Sequence, residues 1–222
     1  MIQIKRTLTI LAVSSFTGTA ALSQDLSFNM EVTSAKQKDP IIMKVMSKGT
    51  KVVIQPQFSA EQGKMSIIVD QSTKKQYMLM DGNGQKMAMK MDMTDFDKAT
   101  DQAKDPKITI TKETKVIDSY KCTKVITETD ENICDMWLTQ DVGLSYSDLY
   151  KMVAPGKGPQ GGGAGIPALK NVKGFPIQMI VKDKKKDETV TVNIRNISKA
   201  KVDEKVFSLE GYQVMDMGNM KH

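Results

Sequence analysis

The chain has 222 residues with 32 basic and 26 acidic side chains, so its formal net charge is +6. This length suits a single domain, and the mixing of lysines with acids is typical of a solvated protein surface. The sequence has no basic patch with interleaved aromatic residues, which argues against nucleic acid as a partner.

The first 23 residues have the pattern of a cleavable bacterial secretion signal. Lys5 and Arg6 form a positive start, Leu8–Leu22 is an apolar stretch, and small side chains precede a predicted cut after Ser23. The apolar stretch is shorter than the roughly 20 residues that span a bilayer. We therefore expect an exported protein, periplasmic, associated with the outer membrane or secreted, whose residues 24–222 form one β-rich domain.

Alternation of apolar and polar residues dominates the rest of the chain, with turn residues between the runs. A sheet of about ten strands tends to curl or split rather than stay flat. We therefore expect one antiparallel sheet that curls into a barrel or half-barrel. The predicted strands are Leu26–Thr33, Ile41–Ser47, Lys51–Gln55, Met65–Asp70, Gln76–Met80, Gln85–Asp92, Ile108–Thr111, Lys115–Ile117, Tyr120–Glu128, Ile133–Gln140, Phe175–Val181, Thr189–Asn196 and Gly211–Met215.

Two stretches that break this alternation predict short helices, Thr94–Ala103 and Ser145–Val153. In the second, Leu149, Met152 and Val153 share one helical face. The flexible glycine-rich loop that follows, at residues 155–165, contains a G-x-G-x-x-G spacing. Because this spacing follows a helix rather than a strand, dinucleotide binding is not expected.

The two cysteines, Cys122 and Cys134, fall in neighbouring predicted strands joined by a short turn. If Glu128 faces Ile133 across that hairpin, the cysteines lie about 16 Å apart along the strands and on opposite faces. A disulfide requires Cα atoms within about 7 Å of each other. We therefore expect two free, buried thiols, while a bridge is the alternative for an exported chain.

Methionine is the most unusual component of the sequence, with 17 residues. Four methionines occupy alternate positions of one predicted strand, so they point to the same face. The preceding Asn83-Gly84 pair is typical of a type I′ turn, which would place Met80 opposite Met87 and Met78 opposite Met89. Six methionines are then expected on one surface, namely Met78, Met80, Met87, Met89, Met91 and Met93.

Three interpretations of this surface remain open. Methionine fills gaps in ordinary cores, and its flexible thioether also suits an adaptable lining for acyl chains. Thioethers are, in addition, soft ligands for copper(I), and Met215, Met217, Met220 and His222 near the C-terminus add to that possibility. Trp137 completes the predicted set of ligand-contacting residues. Its alternative role is that of an aromatic anchor in the core.

Side chains that could carry catalysis are scarce. His222 is the only histidine, which excludes histidine-based triads and histidine zinc sites. Asp130 and Glu131 fall in a predicted turn, where solvated charge is the default. Asp81-Gly82-Asn83 begins like a calcium loop, but Lys86 stands where that loop needs glycine. We therefore expect a non-enzymatic protein without a cofactor or a metal site.

The stretch Thr111–Cys122, TKETKVIDSYKC, resembles the signature of an exported bacterial family catalogued as domain of unknown function 4412. The similarity continues, in the expected order, at Trp137–Gly143, Gly174–Ile177, Phe207 and Gly211-Tyr212. Members of the family usually have glycine where this chain has Ser119. The resemblance implies a fold like that of the lipoprotein carriers LolA and LolB, an unclosed β-barrel with helices over its mouth that holds acyl chains. It implies no functional residues.

The sequence supports two main hypotheses. The first is an envelope protein that binds a hydrophobic or amphiphilic ligand, a lipid or a lipoprotein acyl chain, in an open barrel, with peripheral membrane contact. The second is a structural or interaction module whose barrel is filled by its own side chains. A metal-handling protein is the third and weakest hypothesis, because it rests on methionine alone.

Overall fold

The structure is a computed structural model that describes residues 25–36, 39–57, 64–82, 84–93, 106–153 and 172–217. The predicted secretion signal, the predicted helix at residues 94–103 and the glycine-rich loop at residues 155–165 lie outside the described residues. Within the described ranges, no helix is long and apolar enough to cross a membrane.

A single sheet of twelve strands forms the described part of the chain, which confirms the predicted β-rich fold. The strands lie in the order β12-β6-β5-β4-β3-β2-β1-β11-β10-β9-β8-β7, and the two outermost strands do not pair with each other. The sheet is therefore unclosed. The strands are β1 (Leu26–Ser34), β2 (Ile41–Lys48), β3 (Lys51–Pro56), β4 (Lys64–Asp70), β5 (Lys75–Gly82), β6 (Gln85–Asp92), β7 (Lys107–Ile117), β8 (Tyr120–Glu128), β9 (Asn132–Thr139), β10 (Phe175–Asp183), β11 (Thr189–Ser198) and β12 (Gln213–Asp216).

The structure corrects two details of the predicted sheet. The pairing is antiparallel throughout except at one edge, where β12 runs parallel to β6. The two strands predicted at 108–111 and 115–117 are one strand, β7. This strand carries two extra residues between Ile110 and Thr114 relative to its partner β8. The extra residues lie in a polar stretch, where apolar and polar residues do not alternate. The sequence therefore predicts two strands instead of one.

Helix α1 (Tyr146–Val153) confirms the second predicted helix and its serine N-cap. The backbone amide of Asp148 donates to Ser145 Oγ at 3.2 Å, and the amide of Ser145 donates to the Asp148 carboxylate at 2.8 Å. These reciprocal bonds form a capping box that satisfies amides at the helix start. The buried side of α1 packs into the core, so the helix covers one face of the sheet.

The sheet has an apolar cluster on each face. We call the face covered by α1 the inner face, and its cluster includes side chains of β1–β4 and β8–β11. On the opposite, outer face, a second cluster forms on β2–β6 beneath the C-terminal segment, which contains a short 3-10 helix (Glu204–Phe207). That segment contributes Val202, Val206, Phe207, Leu209 and Tyr212 to the outer cluster.

The β7–β8 hairpin closes through a two-residue turn in which both residues have positive φ, 46° for Asp118 and 70° for Ser119. This is the backbone geometry of a type I′ turn, which favours asparagine, aspartate or glycine. The Asp118 carboxylate accepts a hydrogen bond from Arg195 Nη1 at 2.7 Å, which ties the turn to β11. Ser119 therefore holds a left-handed conformation that a Cβ atom disfavours.

We predict that Ser119→Gly raises the free energy of unfolding by about 0.5–1 kcal/mol, because relief of left-handed strain outweighs the backbone entropy of glycine. Urea denaturation followed by circular dichroism measures this change. Ser119→Ala is the matched control, since it removes the hydroxyl but keeps the Cβ atom, and it should give no stabilisation. Equal stability of the glycine and alanine variants would contradict the strain.

Candidate functional site: an uncharged methionine face

The predicted register of the methionine hairpin is confirmed. A two-residue turn joins β5 and β6, and its Gly84 has a φ of 75°, a conformation that glycine adopts without strain. Met80 lies opposite Met87, and Met78 lies opposite Met89. Because side chains of a directly opposed pair share one side of the sheet, these methionines form a continuous surface.

Two methionines outside the predicted set extend this surface over four strands. Met65 on β4 pairs with Met80, and Met215 on β12 lies beside Met89. Val69 alternates with Met65 on β4 and belongs to the inner cluster, so the surface lies on the inner face. We call this surface the methionine face, and its members are Met65, Met78, Met80, Met87, Met89, Met91 and Met215.

The burial of these residues separates them from core methionines. All seven members of the methionine face are partly exposed. By contrast, Met30, Met136, Met152 and Met179 are at most 1% exposed and belong to the inner cluster. Met93, predicted to share the surface, is also buried in that cluster. The methionine face is therefore an extension of the inner face beyond its packed part.

The inner side of these four strands carries no charged residue among the described positions. Alternation places every charged side chain of β4, β5, β6 and β12 on the outer face. There the Lys90 ammonium contacts the Asp216 carboxylate at 2.8 Å, which links β6 to β12 and raises the pKa of Lys90. The outer-facing charged residues are Lys64, Asp70, Lys75, Asp81, Lys86, Lys90, Asp92 and Asp216. The methionine face suits neutral apolar groups and offers nothing to a hard cation or an anion.

Trp137 is not brought to the methionine face. It lies on β9 in the other half of the sheet, and alternation turns it away from the buried Met136 and Leu138. The Lys115 ammonium lies 4.1 Å from the centroid of the Trp137 ring, a cation–π contact. A ligand on the methionine face therefore does not reach this ring from the same side of the sheet.

The cysteine thiols are free and buried, as predicted. Thr127 pairs with Cys134 as predicted, and the same regular register continues towards Cys122, which pairs with Lys115 on the side of the sheet that carries the Trp137 ring. The register therefore agrees with the expectation that the two cysteines lie on opposite faces. Burial raises the pKa of the Cys134 thiol to about 12 and also raises that of Cys122. The thiols are therefore protonated and unreactive at neutral pH.

We predict that neither thiol of the folded protein reacts with Ellman's reagent at pH 8, because the raised pKa values keep both protonated and burial excludes the reagent. The same protein, unfolded in guanidinium without a reductant, should give two thiols per chain. A count of zero after unfolding would show a disulfide and contradict the structure.

A surface pocket of about 420 Å³ lies away from the methionine face, beside the C-terminal segment. Lys48, Lys201, Val202, Asp203 and Glu204 line it, and the Lys48 ammonium contacts the Glu204 carboxylate at 2.9 Å. Its walls are charged and their charges are partly paired, so it does not suit an apolar ligand. Among the described residues, no group of three or more His, Cys, Asp or Glu side chains could hold a metal ion.

The contrast between exposed and buried methionines predicts different costs of truncation. Met136→Ala should lower the free energy of unfolding by about 2–5 kcal/mol, because it leaves a cavity in a packed core. Met89→Ala should cost only about 1 kcal/mol, since Met89 is partly exposed and its truncation leaves no enclosed cavity. Chemical denaturation of both variants measures the difference. Equal costs would place Met89 in the core.

Comparison with known sequences gives one family. The family described as Domain of unknown function (DUF4412) matches residues 23–211. No curated protein matches the chain.

Solved structures with a similar fold include an uncharacterized conserved protein from Thermus thermophilus, with a TM-score of 0.53 and 6% sequence identity over 88% of this chain and 91% of that one. PNGF-II gives a TM-score of 0.48 and 12% identity over 87% of this chain, which spans only 31% of the PNGF-II chain. A LolA superfamily protein from Nitrosomonas europaea gives a TM-score of 0.35 and 10% identity over 84% of this chain and 90% of that one. At 6% identity, the likeness to the Thermus thermophilus protein concerns the fold alone.

Proposed function

We propose a ligand-binding rather than a catalytic role for this chain, which belongs to the family described as Domain of unknown function (DUF4412). In this proposal the protein works in the bacterial cell envelope and binds a hydrophobic or amphiphilic ligand, a lipid or a lipoprotein acyl chain. The apolar part of the ligand lies against the methionine face of the open sheet, and its polar end stays in water.

The observation that carries this proposal is the combination of chemistry and exposure on the methionine face. Seven thioether side chains on four adjacent strands are partly exposed, and the described residues around them on that side of the sheet are uncharged. Apolar binding sites in proteins have this composition, with a few polar groups at the margin. Here the margin has the neutral amides of Gln76, Gln85 and Gln213.

Acyl chains vary in length and bend, and methionine is suited to such ligands. Its side chain is unbranched, has three rotatable bonds and repacks at low cost around a changing apolar surface. The inner cluster lies next to the methionine face and is well packed, because Ile54 and Val69 are buried there. It gives the binding surface a rigid boundary. The expected affinity comes from removal of apolar area from water rather than from directed polar contacts.

A non-enzymatic role agrees with the described side chains. Both thiols are buried with raised pKa values, so neither serves as a nucleophile. The carboxylates Glu128 and Glu131, at the turn between β8 and β9, contact the ammonium groups of Lys184 and Lys185 at 2.8 and 3.2 Å. These are exposed ion pairs of the loop surface rather than a pair of acid and base groups in a cleft.

A second candidate function is an envelope interaction module with a filled interior, and the packing of α1 favours it. Tyr146, Leu149 and Met152 are completely buried where the helix covers the inner face. In that half of the molecule the protein's own side chains occupy the interior. The two candidates differ only in what covers the methionine face, so that face is where they are tested.

We predict that Met87→Gln, Met89→Gln and Met91→Gln in one variant reduce uptake of a fluorescent fatty acid by at least about tenfold. Roughly 1.4 kcal/mol in binding free energy is tenfold in affinity, and three polar amides on an apolar site cost more than that. Fluorescence titration of the full chain measures the affinity. The matched control carries leucine at the same three positions, which keeps the surface apolar and should bind normally.

Native mass spectrometry of the protein purified from its own envelope without detergent gives an independent readout. A co-purifying lipid or lipopeptide mass supports the ligand-binding role. A bare protein mass that fatty acid and phospholipid leave unchanged, together with identical behaviour of the glutamine and leucine variants, would overturn it in favour of the interaction module.

A further inference from the structure

We propose that the methionine face also contains a binding site for a soft monovalent cation, copper(I) or silver(I), formed by the thioether sulfurs of Met78, Met89 and Met215. This site does not depend on the lipid-binding proposal, because it uses the sulfur atoms themselves rather than the apolar character of the side chains.

The strand register brings these three residues into one row. Met78 on β5 is directly opposite Met89 on β6, and Met89 lies beside Met215 on β12. Neighbouring strands are about 4.8 Å apart, so the outer two Cα atoms of the row are separated by roughly 10 Å. Methionine has three rotatable bonds, and side chains from both flanks can turn their sulfurs towards a point above the central residue. Three donors can therefore converge without movement of the backbone.

The next row differs in which strands supply its thioethers. Met80 and Met87 form a cross-strand pair two residues along the same strands, and Met65 lies beside Met80. In that row the β12 position next to Met87 is Gln213, not methionine. The row with Met215 is thus the one that spans β5, β6 and β12 with three thioethers. The other row has its three thioethers on β4, β5 and β6.

The chemistry of the face selects the cation. Thioether sulfur is a soft, neutral ligand that favours copper(I) over hard cations, which require oxygen donors. No carboxylate of these strands lies on the inner side to attract calcium or magnesium, and neither lysine of β6 lies there to repel a monovalent cation. All three methionines are partly exposed, so their side chains are reached by solvent.

The C-terminal strand gives the site its third ligand and couples it to the fold. β12 has only four residues, and the Lys90–Asp216 contact at 2.8 Å holds it on the side of the sheet opposite the sulfurs. A cation that bridges Met89 and Met215 would tie β12 to β6 on the inner side as well. Metal binding should therefore stabilise the C-terminal edge of the sheet.

Silver nitrate, with silver(I) as a redox-inert substitute for copper(I), tests the proposal on the full chain. We expect isothermal titration calorimetry to give one ion per chain. In the protein labelled with ¹³C at the methionine methyl groups, the NMR signals of Met78, Met89 and Met215 should shift together. Changing these three residues to leucine should weaken silver binding by more than about tenfold, since even outer-shell changes typically cost 10–100-fold in metal affinity.

Three controls make the result decisive. A Met220→Leu, His222→Gln variant removes the soft donors at the extreme C-terminus and should bind silver normally. Fatty-acid titration of the unmodified full chain, run beside the silver titration, separates failure of this site from failure of the lipid-binding role. Met89→Leu alone removes the central donor if the triple variant does not fold. Absence of silver binding would overturn the site. Silver binding that survives loss of Met89, together with no shift of the three methyl signals in the unmodified protein, would also overturn it.

Discussion

The two-residue turn between β5 and β6 determines which side of the sheet receives the methionines. Side chains of a strand alternate between faces, so a register slip of one residue would exchange the two sets. In the observed register Met87, Met89 and Met91 lie inside while Lys86 and Lys90 lie outside. Gly84 allows the left-handed turn that fixes this register. The uncharged surface, its exposure and its position beside the inner cluster all depend on that one turn.

The coverage of the sheet is unequal between its two faces. On β4–β6 the outer face has its own apolar cluster, with Ile68, Leu79 and Ala88, and the C-terminal segment packs over it. The inner face is packed where α1 lies, but the methionines of these strands stay partly exposed. These strands therefore carry apolar side chains on both faces, with their charged residues on the outer face only. The C-terminal segment covers the outer face, which has no methionine on these strands. A sheet that needed only stability would place polar residues on the less covered face.

Much of the fold was predictable from the sequence because period-two alternation and turn chemistry are local signals. These signals gave the strand positions, the capped helix after Ser145 and the Met80–Met87 pairing. The unclosed form of the sheet was an implication of the family resemblance. The sequence did not show that β12 adds to β6, since pairing between distant segments leaves no local pattern. For the same reason Met215 was not assigned to the row of Met89. The two extra residues of β7 were not predicted because strict alternation cannot anticipate an irregular strand.

The choice of methionine at these seven positions has a physical meaning beyond apolar character. Strands favour β-branched and aromatic side chains, and the packed parts of this sheet follow that rule with Val45, Val52 and Val192. Valine or isoleucine on the methionine face would give a surface that is also apolar but stiffer. What methionine adds is rotational freedom and a soft sulfur atom. Both properties are available at these partly exposed positions to a partner that arrives from outside the fold, which is what the proposed function requires.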